Sequence, residues 1–338
     1  MRLNIALLVL AAGANAVTLE DVSAYANDAV SAIKRAMPAL AVRKDGGGGS
    51  CPAVWTAIAV QLKGMYLGPD GQCNDDARAA IRLAFHDCGT WDSSQGATGG
   101  CDGSLVNTIN LATSTNGVPD RELSRGENGF LTDISLKLIN VKNANPSITM
   151  ADLISFSAAV AIVTCPGGPQ MQTFVGRKDS FTPAKPNGLP DVHASANNLF
   201  ALFQAKGFSA KDLAALLGAH STSKGFGQTA DMPSGTPQDG TPGLWDVKYY
   251  QDTLTPPAGV VPFPSDRNLA AHPVVGKEFL GFVGRQSKWT GDFKDAMLKM
   301  TLLGVPNQKS LIDCTNAVPR GTSNKRDMRA GPINDRVR

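Results

Sequence analysis

The chain has 338 residues, 42% of them hydrophobic, which is ample for a sizeable core in one large domain or two halves. Its formal charge of +3 does not mark a nucleic-acid surface. Residues 318–338 carry six Lys/Arg against two Asp/Glu, so the rest is close to neutral, and the surplus sits on a Gly/Pro/Asn-containing tail rather than on a folded face.

In chain order, Met1-Arg2-Leu3-Asn4, an apolar run from Ile5 to Ala12 and Gly13-Ala14-Asn15-Ala16 predict a secretory signal peptide over 1–16. That run is too short to span a bilayer, and the apolar stretch Leu153–Val163, interrupted by Ser155 and Ser157, reads as a buried core helix, so no membrane span is expected. Residues 17–50 read as an N-terminal extension: one or two short amphipathic helices over 17–44, then a spacer from Gly46 to Gly49. The main domain is expected over 51–317, followed by a basic flexible tail over 318–338.

Helical spacing dominates the main domain, with apolar periodicity over 75–85, 130–141 and 292–303. Thr149-x-x-Asp152 and Ser209-x-x-Asp212 read as capping boxes opening two further helices. Phe174-Val175-Gly176-Arg177 is the best strand candidate. Long Gly/Pro/Thr-rich loops cover 90–126, 222–246 and 252–266, and loops of that length are usually functional or tied down. The chain is therefore expected to be mostly α with little β. Six cysteines, an even number in a chain read as secreted, make disulfides the default, with the connectivity left open. The absence of Cys-x-x-Cys argues against a zinc ribbon or redox pair, and no Asn-x-Ser/Thr sequon free of proline occurs.

Two of the four histidines stand in distinctive settings. In Arg82-Leu83-Ala84-Phe85-His86-Asp87 a guanidinium and an imidazole lie one helical turn apart on the same face. On spacing alone this is also a helix with a surface Arg and a core His; Phe85, Asp87 and the Gly-rich loop that follows tip the reading toward a site. In Leu216-Leu217-Gly218-Ala219-His220-Ser221 an imidazole ends an apolar helical run, placed either to interact with the helix dipole or to bind a metal through neutral nitrogen. Asp266 is the candidate carboxylate behind it. His193 and His272 lack such surroundings and read as ordinary loop residues.

These residues resemble the plant-type haem peroxidase superfamily, and most of all the secreted fungal class that includes lignin-degrading enzymes. The likeness runs over about 240 residues, from Cys73 to Cys314. It covers Arg-x-x-Phe-His-Asp, Gly100 to Ser104, Glu122 with Asn128-Gly129, Thr164 to Gln170, Gly176-Arg177, Gly-Ala-His-Ser and Ser265-Asp266. The resemblance implies two mostly helical halves sandwiching a b-type haem. His86 would move the proton of hydrogen peroxide, and Arg82 would stabilise charge as the O–O bond breaks. Asn128 would accept from His86, braced by Glu122, and Phe85 would screen the reacting oxygen. His220 would be the axial iron ligand, given imidazolate character by Asp266.

The same resemblance implies two Ca²⁺ sites. One comprises Asp87, Gly100, Asp102 and Ser104; the other Ser221, Asp239, Thr241, Leu244 and Asp246. It also implies the disulfide pairs Cys73–Cys165, Cys51–Cys314 and Cys88–Cys101. The chain departs from specialised relatives where manganese oxidisers carry three acids, since those positions read Asp75, Ala79 and Phe226. One carboxylate is too few for a hard divalent ion. The surface-tryptophan position is Ala215, and the proximal aromatic before the second calcium loop is Gln238; Trp91 and Trp245 read as packing residues, with electron relay from the surface as the alternative. The expected protein is a secreted, extracellular, monomeric peroxidase acting on hydrogen peroxide and small aromatic donors, with no nucleic-acid partner. A low-turnover haem- or peroxide-binding protein is the alternative, and a serine hydrolase is disfavoured because no Gly-x-Ser-x-Gly occurs.

Overall fold

The computed structural model describes residues 49–94, 96, 98–110 and 121–322. The expected signal peptide, the short helices expected over 17–44 and most of the expected basic tail lie outside the described residues. Among the described residues helix predominates, and strand is confined to two short antiparallel pairs. Phe174–Val175 (β1) pairs with Ile312–Asp313 (β4), and Lys224–Gly225 (β2) with Thr236–Pro237 (β3).

The first half holds α1 (Val54–Tyr66), α2 (Asp75–Cys88), the short α3 (Ser104–Asn107), α4 (Thr132–Ala144) and α5 (Met150–Thr164). Every residue of α5 is buried, as its apolar sequence without a polar stripe requires. The helices α1, α2 and α4 pack around it. Trp55 lies against Phe156, and the Tyr66 hydroxyl hydrogen-bonds the hydroxyl of Ser157. Asn74 caps α2, its side-chain oxygen accepting from the Ala77 N–H at 3.1 Å, and Asp75 and Asp76 place negative charge on the first turn. One face of α2 buries Ala77, Ala80, Ile81 and Ala84, which leaves Arg82 and His86 to face a cavity.

The second half holds α6 (Ala196–Ala205), α7 (Ala210–Leu217), α8 (Lys248–Leu254), α9 (Pro264–Ala271), α10 (Val275–Leu280) and α11 (Gln286–Met300). Helix α7 packs on α10 and α11 beside an aromatic cluster of Trp245, Tyr250, Phe279, Trp289 and Phe293. Trp245 is fully buried in that cluster. Ser209 and Asp212 form a complete capping box on α7, at 3.1 Å and 2.9 Å.

Three local expectations shift. Thr149 caps α5, but Asp152 does not return the bond. Its carboxylate accepts from the Gly176 N–H at 2.7 Å and from the buried Arg177 guanidinium at 3.1 Å, which explains the Gly176-Arg177 pair as a structural anchor. Helix α4 begins at Thr132, because Phe130 holds φ at +66°, incompatible with helix. The last long helix starts at Gln286 and ends at Met300, outside the expected 292–303 at its front and short of it at its end.

Disulfides join Cys51 to Cys314, Cys73 to Cys165 and Cys88 to Cys101. Lys206, buried at the end of α6, donates to the carbonyls of Trp91 and Gly188, each at 3.0 Å, and so ties the loop after α2 to the second half. Burial lowers its ammonium pKa to about 8.

Candidate active site

A cavity of about 560 Å³ opens between the two halves and is lined by both Arg82, Phe85 and His86 and by His220 and Asp266. Its walls are otherwise largely apolar, with Leu213, Leu216, Phe203, Phe293 and Met297. Its size falls in the range of about 300–1,000 Å³ usual for small-molecule and cofactor pockets.

On the first side, the i, i+4 spacing of α2 delivers Arg82 Nε to 3.2 Å from His86 Nε2. Arg82 Nη1 and Nη2 donate to the main-chain carbonyls of Gly129 and Glu127, each at 2.8 Å, so the guanidinium is clamped by the turn that carries Asn128. His86 Nδ1 lies 2.8 Å from Asn128 Oδ1. A bond in which Nδ1–H donates leaves Nε2 as a bare acceptor, and Arg82 Nε–H points to it. Burial, then the Arg82 charge, lowers the His86 pKa to about 3, against the raising effect of Asn128, so the ring is neutral at ordinary pH. Burial also lowers Arg82 to about 10. Asn128 is itself fixed, its amide donating to the Glu122 main-chain carbonyl at 2.7 Å. Glu122 therefore braces Asn128 through its backbone, while its carboxylate accepts from the Ala184 N–H at 2.9 Å. Phe85 stands edge-on to His86 and stacks on Phe203.

On the opposite side, α7 stops at Leu217 and a 3₁₀ turn, Gly218–Thr222, carries His220. Gly218 is required here, since a β-carbon would come within 2.3 Å of the Trp289 indole nitrogen. Trp289 donates from Nε1 to the Ala215 carbonyl at 2.9 Å, and Ala215 is fully buried. His220 Nδ1 lies 2.9 Å from Asp266 Oδ2, on the first turn of α9, where Pro264 occupies an opening position. The ring is held edge-on by Tyr249 and Phe263. Gln238, fully buried, approaches the same Asp266 oxygen with Nε2 at 3.5 Å, and its Oε1 has no partner. Sequence reading registered Gln238 as a replaced aromatic but not this contact.

Each histidine is backed by an oxygen-rich loop. Asp87 accepts from the Gly103 and Leu105 N–H groups at 3.1 Å and 3.4 Å, and Asp102 from Ser104 N–H at 3.0 Å; the Gly100 carbonyl accepts from Asp102 N–H. Asp102 Oδ2 and Ser104 Oγ are buried without partners. Burial raises the pKa of both Asp87 and Asp102, and their proximity adds to it for Asp87. In the second loop Ser221 Oγ and Asp239 Oδ2 are the buried oxygens without partners, Thr241 Oγ1 donates to Asp246 Oδ2 at 3.1 Å, and Leu244 N–H closes on the Thr241 carbonyl. Burial pushes Asp239 up to about 8 and raises Asp246. Among the described residues no three His, Cys, Asp or Glu side chains converge on one point. Each loop instead offers two carboxylates with hydroxyl and carbonyl oxygens, a donor set of the hard-cation kind.

Asp75, Ala79 and Phe226 do line one stretch of the cavity. Asp75 is bonded by Arg78 and Lys224, each at 3.0 Å, and Phe226 stacks on Phe130 with ring centroids 4.5 Å apart. His193 is exposed, and His272 bonds Asn197 and the turn after it, away from the cavity.

A family profile described as "Peroxidase" matches residues 70–284. The chain belongs to the plant-type haem peroxidase family. It is 30% identical over 319 residues to "Ligninase LG2" of Phanerodontia chrysosporium, covering 87% of this chain and 81% of that protein. It is 29% identical over 271 residues to "Manganese peroxidase 3" of Phlebia radiata, covering 73% and 71%. It is 27% identical over 314 residues to "Peroxidase" of Arthromyces ramosus, covering 82% of each. The enzyme is a peroxidase, and the family implies haem b as its cofactor. The mostly apolar cavity and an imidazole whose far nitrogen is committed to a buried carboxylate suit that group.

Proposed function

We propose that this peroxidase is a secreted, calcium-stabilised monomer that reduces hydrogen peroxide and oxidises small phenolic and other aromatic donors, one electron at a time, at the haem edge. One observation carries the reading: Arg82 and His86, the latter backed by Asn128, line the same cavity as the His220–Asp266 pair. His220 would ligate the iron, with Asp266 drawing on its Nδ1–H. When bound, haem supplies a redox-active iron that takes two oxidising equivalents from peroxide and releases them singly.

The residues supply the proton chemistry. His86 Nε2, unprotonated and facing the cavity, would take a proton from one oxygen of hydrogen peroxide and return it to the other, which would leave as water. Arg82 lies on the same nitrogen and stabilises the negative charge that grows on the departing oxygen. Asn128 keeps the His86 proton on Nδ1. Phe85 limits access to the reacting oxygen. The balance is one peroxide and two donor molecules giving two waters and two donor radicals.

Phenolic donors are favoured over manganese because Phe226 and Ala79 supply no oxygen and Asp75 is already neutralised by two cations. The buried partnerless oxygens at Asp102, Ser104, Ser221 and Asp239 support two Ca²⁺ ions, one behind each histidine. Three disulfides fit an oxidising, extracellular setting, and no helix of the described residues is long and apolar enough to cross a membrane. The test is stoichiometric. Haem-loaded protein is expected to consume two guaiacol molecules per peroxide without added Mn²⁺; oxidation that requires Mn²⁺ would overturn the donor assignment.

A further inference from the structure

Phe130 departs from the chain's own local rules. It is a non-glycine residue in the left-handed region, with φ +66°, and its large apolar ring is 63% exposed. Both features are unfavourable in isolation, and strained backbone of this kind tends to persist where surrounding structure fixes it. The fixing here is visible. The carbonyl of the preceding residue, Gly129, accepts from Arg82 Nη1 at 2.8 Å. The turn that clamps the catalytic guanidinium thereby throws the Phe130 ring outward, onto Phe226, with centroids 4.5 Å apart and planes within 19°. Both rings line the cavity that holds Arg82 and His86.

The charges around this pair narrow what it suits. Asp75 is already held by Arg78 and Lys224, Ala79 and Phe226 offer no oxygen beside it, and the exposed Glu127 lines the same cavity. A planar aromatic ring gains there by stacking on the exposed faces of the pair. We infer that Phe130 and Phe226 form a stacking platform at the cavity mouth that binds planar phenolic donors and sets the preference among reducing substrates. The inference rests on the peroxidase reading above and adds to it the residues that select the donor.

The test uses haem-loaded full chain and guaiacol as the probe. Guaiacol binding to the resting protein is measured without peroxide, by saturation-transfer NMR, for the parent, F130A, F226A, F226L and F226W. Loss of one stacked partner is expected to weaken the guaiacol Kd by roughly 2-fold to 10-fold in F130A and F226A. F226W should restore it and F226L should not. In turnover the same variants should show the loss in KM rather than in kcat. A Kd indifferent to both alanine variants, or restored equally by F226L, would overturn the platform. The parent separates the two readings: a parent inert to peroxide removes the peroxidase mechanism, whereas a reactive parent with an indifferent Kd removes only the platform.

Discussion

The two sides of the cavity are held in different ways. In the His86 array each side chain has a dedicated partner: Arg82 donates to two carbonyls and to His86, His86 to Asn128, and Asn128 to the Glu122 carbonyl. Most of those anchors are main-chain atoms, which move little. On the His220 side one carboxylate oxygen serves both His220 and the longer contact from Gln238, while Gln238 Oε1 and the Tyr249 hydroxyl stay buried without partners. On the roles proposed above, the contrast teaches a division of labour: the Arg82–His86–Asn128 array is fully hydrogen-bonded, and the proposed ligand side retains polar capacity that would tune the iron.

Removing the base should have the largest effect. His86→Leu is expected to slow reaction with peroxide by about 10²–10⁴, read by stopped-flow spectroscopy; parental speed would show that the rigid side is not the proton-moving side. The same side predicts a pH profile. With His86 held at about 3, the peroxide reaction should stay flat from neutral pH down to about 4 and fall as pH nears 3 and Nε2 takes a proton. An unfolded histidine titrates near 6.5, so the unfolded chain binds more protons between those values. The stability contributed by the neutral ring is therefore full above about 6.5 and lost as pH drops toward 3.

Calcium removal tests whether each side depends on the loop behind it. A chelator should lower the melting temperature, by an amount corresponding to about 2.7 kcal/mol if the ions had been present at about a hundred times their Kd. An unchanged melting temperature would leave the partnerless oxygens without a cation. Asp266→Asn should cost about 10-fold to 100-fold in activity or haem retention, as loss of a partner behind a metal ligand usually does. The smallest effect is expected from Gln238→Leu, which leaves the Asp266 oxygen to His220 alone; the loss of one competing hydrogen bond is worth about 1 kcal/mol. It should lower the iron reduction potential, and a raised potential would contradict the tuning role.

Legibility in the sequence followed locality. Arg82 and His86 share one helix face, and their spacing with the neighbouring Phe85, Asp87 and Gly-rich loop pointed to a site, while the all-buried α5 was plain from its apolar run. Asn128 and Asp266 sit far along the chain from the histidines they touch; only the family resemblance pointed to Asn128, whereas Asp266 was a candidate because a metal-binding His220 needs a partner for its second nitrogen. Thr149-x-x-Asp152 matched a capping box in letters, yet Asp152 was drawn away by Arg177, a tertiary partner invisible to a local motif. The Phe130–Phe226 stack left no local signal at all, because it depends on a left-handed turn set by Arg82 and on a residue nearly a hundred positions away.

On the proposed reading one haem lies between His86 and His220, with His220 as the iron's ligand. Resonance Raman spectroscopy of the haem-loaded parent, H86L and H220A tests it most directly. The parent and H86L should both show the iron–imidazole stretch, and H220A should lose it. A stretch that survives in H220A, or disappears in H86L, would contradict the assignment.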